Sequence, residues 1–343
     1  MATEEKNRKP PCNADILEQD ILLYISPGIR KIFKRIDFKK LGPIEEIRLR
    51  AGKPIMVQTL GGDCFIDEEG RITNRYGEHL FMVSQEDIIK TLELMSENSV
   101  YAYNSEIRNG FITLKGGHRV GIVGKAVLES NSVKNIKDIS GLNIRISMEF
   151  LGCSDEIIKY IVKGENDVYN TLLISPPQCG KTTMLRDVTR LLSDGMDEPR
   201  FKGLKIGVVD ERSELASCHK GVPQHNIGIR TDVLDGCPKS IGILMLLRSM
   251  SPQVIVTDEI GERGDFDAVM RVVNAGVKLI TTIHGYSLKE IESKKEIMEL
   301  MEMRVFERYI ILSGAKGPGT VEEIIDGASK RTLLKRRGEE GAR

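Results

Sequence analysis

The segment Ser175-Pro176-Pro177-Gln178-Cys179-Gly180-Lys181-Thr182 places a glycine, a lysine and a hydroxyl side by side after the apolar run Thr171 to Ile174. The pattern is that of a phosphate-binding loop, or Walker A motif, G-x-x-x-x-G-K-[ST], with Ser175 where the first glycine belongs. The residue types follow from the chemistry. A tight loop turns backbone N–H groups toward phosphate oxygens, lysine supplies a point charge, and threonine offers a hydroxyl to Mg²⁺. Pro176 and Pro177 have no N–H to give. Serine at the first position predicts a backbone conformation that glycine adopts more easily, so Ser175→Gly is expected to preserve or improve nucleotide affinity.

A Gly-Lys-Thr tripeptide could arise by chance in any loop, but here a helix follows it. Met184, Leu185, Val188, Leu191 and Leu192 line one face of a helix that ends at Asp194-Gly195. Its N-terminus brings a partial positive charge to the loop. Ser175 through Thr182 together with Thr183 are therefore the candidate nucleotide contacts, and ATP the candidate ligand.

Hydrolysis needs an acidic partner, and Val254-Ile255-Val256-Thr257-Asp258-Glu259 supplies one in the manner of a Walker B strand. Asp258, with Thr182, is the candidate holder of Mg²⁺, and Glu259 the candidate base that orients and deprotonates water. Two further clusters end apolar runs, where open parallel sheets place their ligands. They are Asp210-Glu211-Arg212-Ser213-Glu214 and Thr281-Thr282-Ile283-His284-Gly285. Glu211 and Glu214 are both candidates for a catalytic role, ranked below Glu259. Two readings fit His284: a sensor of the γ-phosphate, or a ring satisfied by neighbouring backbone.

Composition narrows the classes. At 343 residues, two domains are expected. Net charge is zero, Trp is absent and aromatics are 5%, which argues against a nucleic-acid partner that needs a basic field or stacking platforms. Six cysteines without a CxxC pair fit free thiols in a reducing cytosol, and Cys218-His219 with His225 lacks the second pair of a tetrahedral zinc set. The polar stretch Met1 to Pro11 has no signal-peptide core, and no apolar run approaches the roughly 20 residues of a membrane span.

Residues 1–14 read as a polar tail and 15–150 as a smaller α+β domain. Strands are expected at Ile44 to Arg50, Ile55 to Leu60, Phe111 to Leu114, Arg119 to Val127 and Leu142 to Ile146, with a helix over Ser84 to Ser96 capped by Ser84. Residues 151–327 carry short, nearly all-apolar runs at Thr171 to Ile174, Ile206 to Val209, Val254 to Thr257, Leu279 to Ile283 and Tyr309 to Leu312. Such runs signal a parallel sheet buried on both faces. A hairpin turn near Lys316 to Gly319 leads into Thr320 to Ile325, and residues 328–343 read as a charged, solvated tail.

The four strand-end motifs, in this order, resemble those of the secretion ATPases of the type II and type IV systems. The chain is more similar still to the stage III sporulation protein AA family of endospore-forming bacteria. That likeness runs from about residue 15 to 327. It is carried by Glu46-Ile47-Arg48-Leu49-Arg50 before Gly52-Lys53-Pro54, by Gly116-Gly117-His118-Arg119-Val120-Gly121, by Lys137-Asp138-Ile139-Ser140 and by Asp235-Gly236-Cys237-Pro238-Lys239, and continues through Arg248-Ser249-Met250-Ser251-Pro252 into Asp258-Glu259-Ile260-Gly261.

The resemblance implies an α/β fold, a RecA-like P-loop ATPase domain behind the N-terminal domain, assembled as a homo-hexamer. It implies a motor in the mother-cell cytoplasm, peripherally docked on a membrane protein of a channel complex between mother cell and forespore. It further implies that Arg119 and Arg145 reach the nucleotide as catalytic cations; surface ion pairs are their alternative role. The chain departs from the secretion ATPases at Asp258, usually glycine there, and at Glu211, usually proline. A RecA-like nucleic-acid motor is the alternative, kept by the basic tail residues Lys330, Arg331, Lys335, Arg336 and Arg337. A small-molecule kinase lacks a lid-like insertion, and an inactive scaffold would bind ATP without turnover.

Overall fold

Apolar residues in succession along a strand point alternately to opposite faces of a sheet, so an all-apolar strand must be covered on both sides. The computed structural model shows this at β10 (Thr171–Ser175): Leu172 and Ile174 join one buried cluster, and Leu173 joins the cluster on the other face. The structure describes residues 14–38, 41–77, 79–97, 99, 103–129, 132–261 and 263–336. The chain divides into two compact units, Met1–Met148 and Glu149–Arg343.

In the first unit, α1 (Ala14–Ile16) runs on through irregular helical turns to Tyr24, and α2 (Pro27–Phe33) starts on Ser26, whose Oγ accepts the Ile29 N–H. Strands β1 (Ile44–Arg50), β2 (Met56–Thr59), β3 (Gly62–Ile66) and β4 (Ile72–Thr73) precede α3 (Gln85–Met95) and α4 (Asn104–Arg108); β5 (Phe111–Thr113), β6 (Arg119–Glu129) and β7 (Ser132–Arg145) follow. The seven strands form an antiparallel sheet in the order β4-β3-β2-β1-β7-β6-β5. Ser84 caps α3 as expected, its hydroxyl accepting from Asp87 N–H while the Asp87 carboxylate accepts from Ser84 N–H. One expectation is corrected. The strand foreseen only from Leu142 begins at Ser132, because pairing with β6 carries the polar stretch before Leu142 into one long hairpin arm.

In the second unit, α5 (Ile158–Ile161) and the small hairpin β8 (Val162–Lys163) and β9 (Asp167–Val168) lead to β10, followed by α6 (Lys181–Asp194) and β11 (Ile206–Asp210). Then come β12 (Thr231–Asp235), α7 (Lys239–Ser249), β13 (Val254–Glu259), α8 (Arg263–Asn274), β14 (Lys278–His284), α9 (Leu288–Glu292), α10 (Lys295–Glu302), β15 (Arg308–Ser313), β16 (Thr320–Asp326) and β17 (Thr332–Lys335). The sheet order is β12-β11-β13-β14-β10-β15-β16-β17. The first six strands run parallel and the last two are added antiparallel. Met184, Leu185, Val188 and Leu192 of α6 fill one face, and Ile243 and Leu246 of α7 with Val269 and Val272 of α8 fill the other.

Two points differ from the sequence reading. Strand β12 has no all-apolar run to announce it, since it lies at the sheet edge and three of its five residues are polar. The tail expected from residue 328 is not wholly free, for Thr332–Lys335 pairs with β16 as the outermost strand. Residues 1–13 of the expected N-terminal tail, including Cys12, and residues 337–343 of the other, including Arg337, lie outside the described residues. Among the described residues no helix is long and apolar enough to cross a membrane.

Helix α6 is tied down by Asp187, 1% exposed, which accepts hydrogen bonds from Ser154 N–H (2.9 Å), Ser154 Oγ–H (2.7 Å) and Arg190 (2.7 Å). Burial pushes this carboxyl up, but the Ser154 and Arg190 donors outweigh it and hold it below the ordinary value. A carboxyl lowered on folding stabilises the protein above its unfolded value, about 3.9, and that contribution is lost as pH falls through the folded one. Asp187→Ala is expected to lower the unfolding free energy by about 1–3 kcal/mol at neutral pH. In urea melts the difference from wild type should shrink as pH drops below about 4; a constant difference down to acid pH would contradict this role.

Candidate functional site

The C-terminal ends of β10, β11, β13 and β14 converge because these strands are parallel neighbours in the sheet. Residues scattered over more than 100 positions of sequence are brought together there. Lys181 opens α6, and its Nζ lies 3.4 Å from Glu259 Oε2 and 3.3 Å from His284 Nε2. The same His284 nitrogen is 3.0 Å from Glu259 Oε2. His284 Nδ1 is 3.3 Å from the Ser175 carbonyl oxygen, which can only accept. A proton on Nδ1 lets it donate to that carbonyl and leaves Nε2 to accept from Lys181, whereas a proton on Nε2 lets it donate to Glu259. Burial lowers the Lys181 ammonium's affinity for its proton, and the Glu259 charge works against that.

The loop from Ser175 to Lys181 makes its turn at Gln178 (φ 60°) and Gly180 (φ 78°). Gly180 is the N-cap of α6, and a Cβ there would lie 2.7 Å from Gly319 N and 2.9 Å from the Pro318 carbonyl carbon. The β15–β16 turn presses on the loop at this point, with Gly319 N–H donating to Cys179 O at 2.8 Å. The expectation for Ser175 is overturned. Ser175 is the last residue of β10, fully buried and in register with His284, and the left-handed positions fall later in the loop. A serine suffices because the chain is still extended where the motif's first glycine would stand. Thr182 and Thr183 continue the first turn of α6, and the Thr183 carbonyl accepts from Cys153 Sγ–H. Pro176 is buried, while Pro177 is exposed on the loop.

Asp258 ends β13 beside Glu259 and is 8% exposed. Its Oδ1 has no hydrogen-bond partner among the described residues, although Lys239 Nζ lies 3.4 Å away. Burial pushes this carboxyl up to about 6 against the attraction of Lys239. A buried carboxylate at the end of β13 whose Oδ1 makes no hydrogen bond among the described residues fits a hard cation that takes its other ligands from phosphate and water. Among the described residues no group of three or more His, Cys, Asp or Glu side chains could enclose a metal alone.

The acidic cluster resolves into distinct jobs. Asp210, fully buried, accepts from the backbone N–H groups of Glu214 (2.9 Å) and Ala216 (2.8 Å), and burial holds its carboxyl above the ordinary value despite them. Buried Arg186 of α6 donates to the carbonyls of Leu215 (2.6 Å) and Glu214 (2.7 Å), fastening this loop to the phosphate-loop helix. The Glu214 side chain is exposed. Glu211 instead turns to Lys239, whose Nζ lies 2.5 Å from its Oε2. Lys239, 7% exposed, is the site residue to which the sequence reading assigned no role; it appeared only inside the Asp235 to Lys239 motif.

Arg119 and Arg145 belong to the first unit. They are direct cross-strand partners on β6 and β7, an arrangement of like charges that a sheet does not favour by itself. The Arg119 guanidinium lies 3.6 Å over the Phe111 ring, and Arg145 is exposed with no ion pair among the described residues.

Known proteins can be set beside this arrangement. The family described as Sporulation stage III, protein AA matches residues 16–332. The chain is 41% identical over 283 residues to stage III sporulation protein AA of Bacillus subtilis (strain 168), covering 82% of this chain and 87% of that one. It is also similar to protein SEEDLING PLASTID DEVELOPMENT 1 of Arabidopsis thaliana, at 24% identity over 298 residues, covering 83% of this chain and 36% of the other. Among solved structures, that of the pilus retraction motor PilT with bound ADP has a TM-score of 0.53 at 15% identity, covering 86% of this chain and 77% of that one. The fold is thus the expected α/β, RecA-like P-loop fold with a smaller N-terminal sheet domain.

Two substitutions test the loop geometry. Gly180→Ala is expected to abolish nucleotide binding measured by calorimetry, because the added methyl meets backbone and the left-handed φ disfavours it. Ser175→Gly is expected to lower stability by about 0.5–1 kcal/mol without raising affinity, as glycine in a strand does. Tighter binding by Ser175→Gly would show that the loop is strained at this residue after all.

Proposed function

Because the chain belongs to the Sporulation stage III, protein AA family, we propose that it is an ATP-hydrolysing motor of the secretion-ATPase type that acts in endospore formation. One observation carries the reading: Lys181, Glu259 and His284 meet within 3.4 Å of one another beside the phosphate loop. In this arrangement the Lys181 charge is spent on Glu259. A triphosphate seated at the N-terminus of α6 offers Lys181 more negative charge than one carboxylate, so Lys181 moves to the phosphates and Glu259 is released. Glu259 then accepts a proton from the water that attacks the γ-phosphorus, and the bond to the leaving ADP oxygen breaks. His284 stays within reach of the same carboxylate, and with its proton on Nε2 it donates to Glu259 and holds its orientation. Mg²⁺, held through Thr182 and Asp258, supplies positive charge to the phosphate oxygens when bound.

The remaining parts of the reading rest on the family and on its likeness to secretion ATPases. We assign the protein to a homo-hexamer in the mother-cell cytoplasm, docked on a membrane protein of a channel complex, with Arg119 and Arg145 reaching nucleotide as the cations that stabilise the transferring phosphoryl group.

ATP turnover and particle size, measured together, test the assignment. Lys181→Ala is expected to lose nucleotide affinity, whereas Glu259→Gln should bind ATP but turn it over about 10²–10⁴-fold more slowly. Wild-type turnover in both variants would place the active site elsewhere.

A further inference from the structure

Lys239 is the first residue of α7, yet it does not project into solvent as lysines at helix starts ordinarily do. Its ammonium sits between two strand ends, 2.5 Å from Glu211 after β11 and 3.4 Å from Asp258 at the end of β13. Burial disfavours the ammonium, but Glu211, Asp258 and Asp265 together hold it firmly charged. Nor is its position incidental. Helix α7 comes close enough to the sheet only because residue 242 is glycine; a Cβ there would lie 2.7 Å from Val209 Cγ1 and 3.2 Å from Leu234 Cδ2. A lysine at the N-terminus of a helix opposes the helix dipole, so the local structure gains nothing from the charge. What gains is the pair of carboxylates.

We propose that Lys239 is a positioning residue of the nucleotide site, pinning Asp258 and Glu211 in one arrangement so that Asp258 is already ordered for the cation that would accompany the nucleotide. The inference rests on the ATPase reading above and adds a residue to it. Two effects oppose each other. A fixed cation 3.4 Å from Asp258 Oδ1 repels a metal ion, while a carboxylate that nothing holds must be ordered by the metal at the metal's cost. Fixing wins here because Lys239 is itself held by Glu211 and is the one cation within ion-pair distance of Asp258 among the described residues, while Oδ1 makes no hydrogen bond among them. Losing an outer partner of a metal-binding carboxylate ordinarily weakens the metal by roughly 10–100-fold. The two lysines thereby divide the work: Lys181 answers to Glu259 and to phosphate, and Lys239 answers to Asp258 and Glu211.

The test titrates Mg²⁺ into full-length protein with a fluorescent ADP analogue and reads the Mg²⁺ concentration that gives half of the Mg²⁺-dependent gain in affinity. For Lys239→Met, which keeps the chain length and removes the charge, that concentration should rise roughly tenfold or more. Binding of the analogue without Mg²⁺ should stay at the wild-type level, since the phosphate loop is untouched. Should Lys239→Met fail to fold, the double variant Lys239→Met, Glu211→Gln relieves the unpaired charge and is compared with Glu211→Gln alone; the same rise is expected. An unchanged or lower Mg²⁺ requirement in either comparison overturns the proposal, a lower one by showing that Lys239 competes with the metal. Failure of the wild type to bind the analogue at all would instead sink the ATPase reading.

Discussion

Two lysines lie inside the second unit, and each tolerates burial only because a neighbouring strand end supplies a carboxylate. An uncompensated buried ion costs several kcal/mol, so Lys181 without Glu259, or Lys239 without Glu211 and Asp258, would not stay charged in place. This pairing requires β11, β13 and β14 to end side by side, which only a parallel sheet with helices on both faces provides. The double layer of apolar residues along β10, β13 and β14 is therefore the precondition of the chemistry. It places the strand ends, and the strand ends place the charges.

The arrangement also explains how a site can be fully built and still respond to its ligand. Lys181 and Glu259 satisfy each other in the free protein, and the phosphates of a nucleotide compete for the lysine. In the proposed ATPase reaction, the first step starts from a carboxylate newly relieved of its counter-charge, close to His284 and to the loop. The Gly319 contact with Cys179 and the Arg186 contacts with Leu215 and Glu214 fasten the phosphate loop and its helix to two other loops.

Much of this could be read from the residues. The apolar runs announced five of the six parallel strands because strands covered on both faces need no polar positions, and the one missed, β12, lies at an edge where three of its five residues are polar. Lys181, Asp258 and Glu259 were legible because their types and spacing have few other uses. What escaped was whatever depends on tertiary approach. Ser175 looked like a strained substitute for glycine, but the strand runs one residue further than the motif suggests and the turn falls at Gln178 and Gly180. Lys239 carried no signal of its own, since a lysine after a proline reads as a solvated helix start; only the close approach of α7 at Gly242 turns it inward. The first part of β7 was hidden for the same reason, its polar stretch being held mainly by pairing with β6 while only Ile136 and Ile139 among its described residues pack against the core.

The central claim is that Lys181 is shared between Glu259 and the phosphates. It is tested most directly by an experimental structure of the protein with Mg²⁺ and a non-hydrolysable ATP analogue. The account predicts phosphate oxygens against the backbone of Gly180 to Thr182, Lys181 Nζ on a phosphate oxygen, and Glu259 parted from it and facing a water. A nucleotide seated away from this loop, or Lys181 still paired with Glu259 beside bound phosphate, would contradict it.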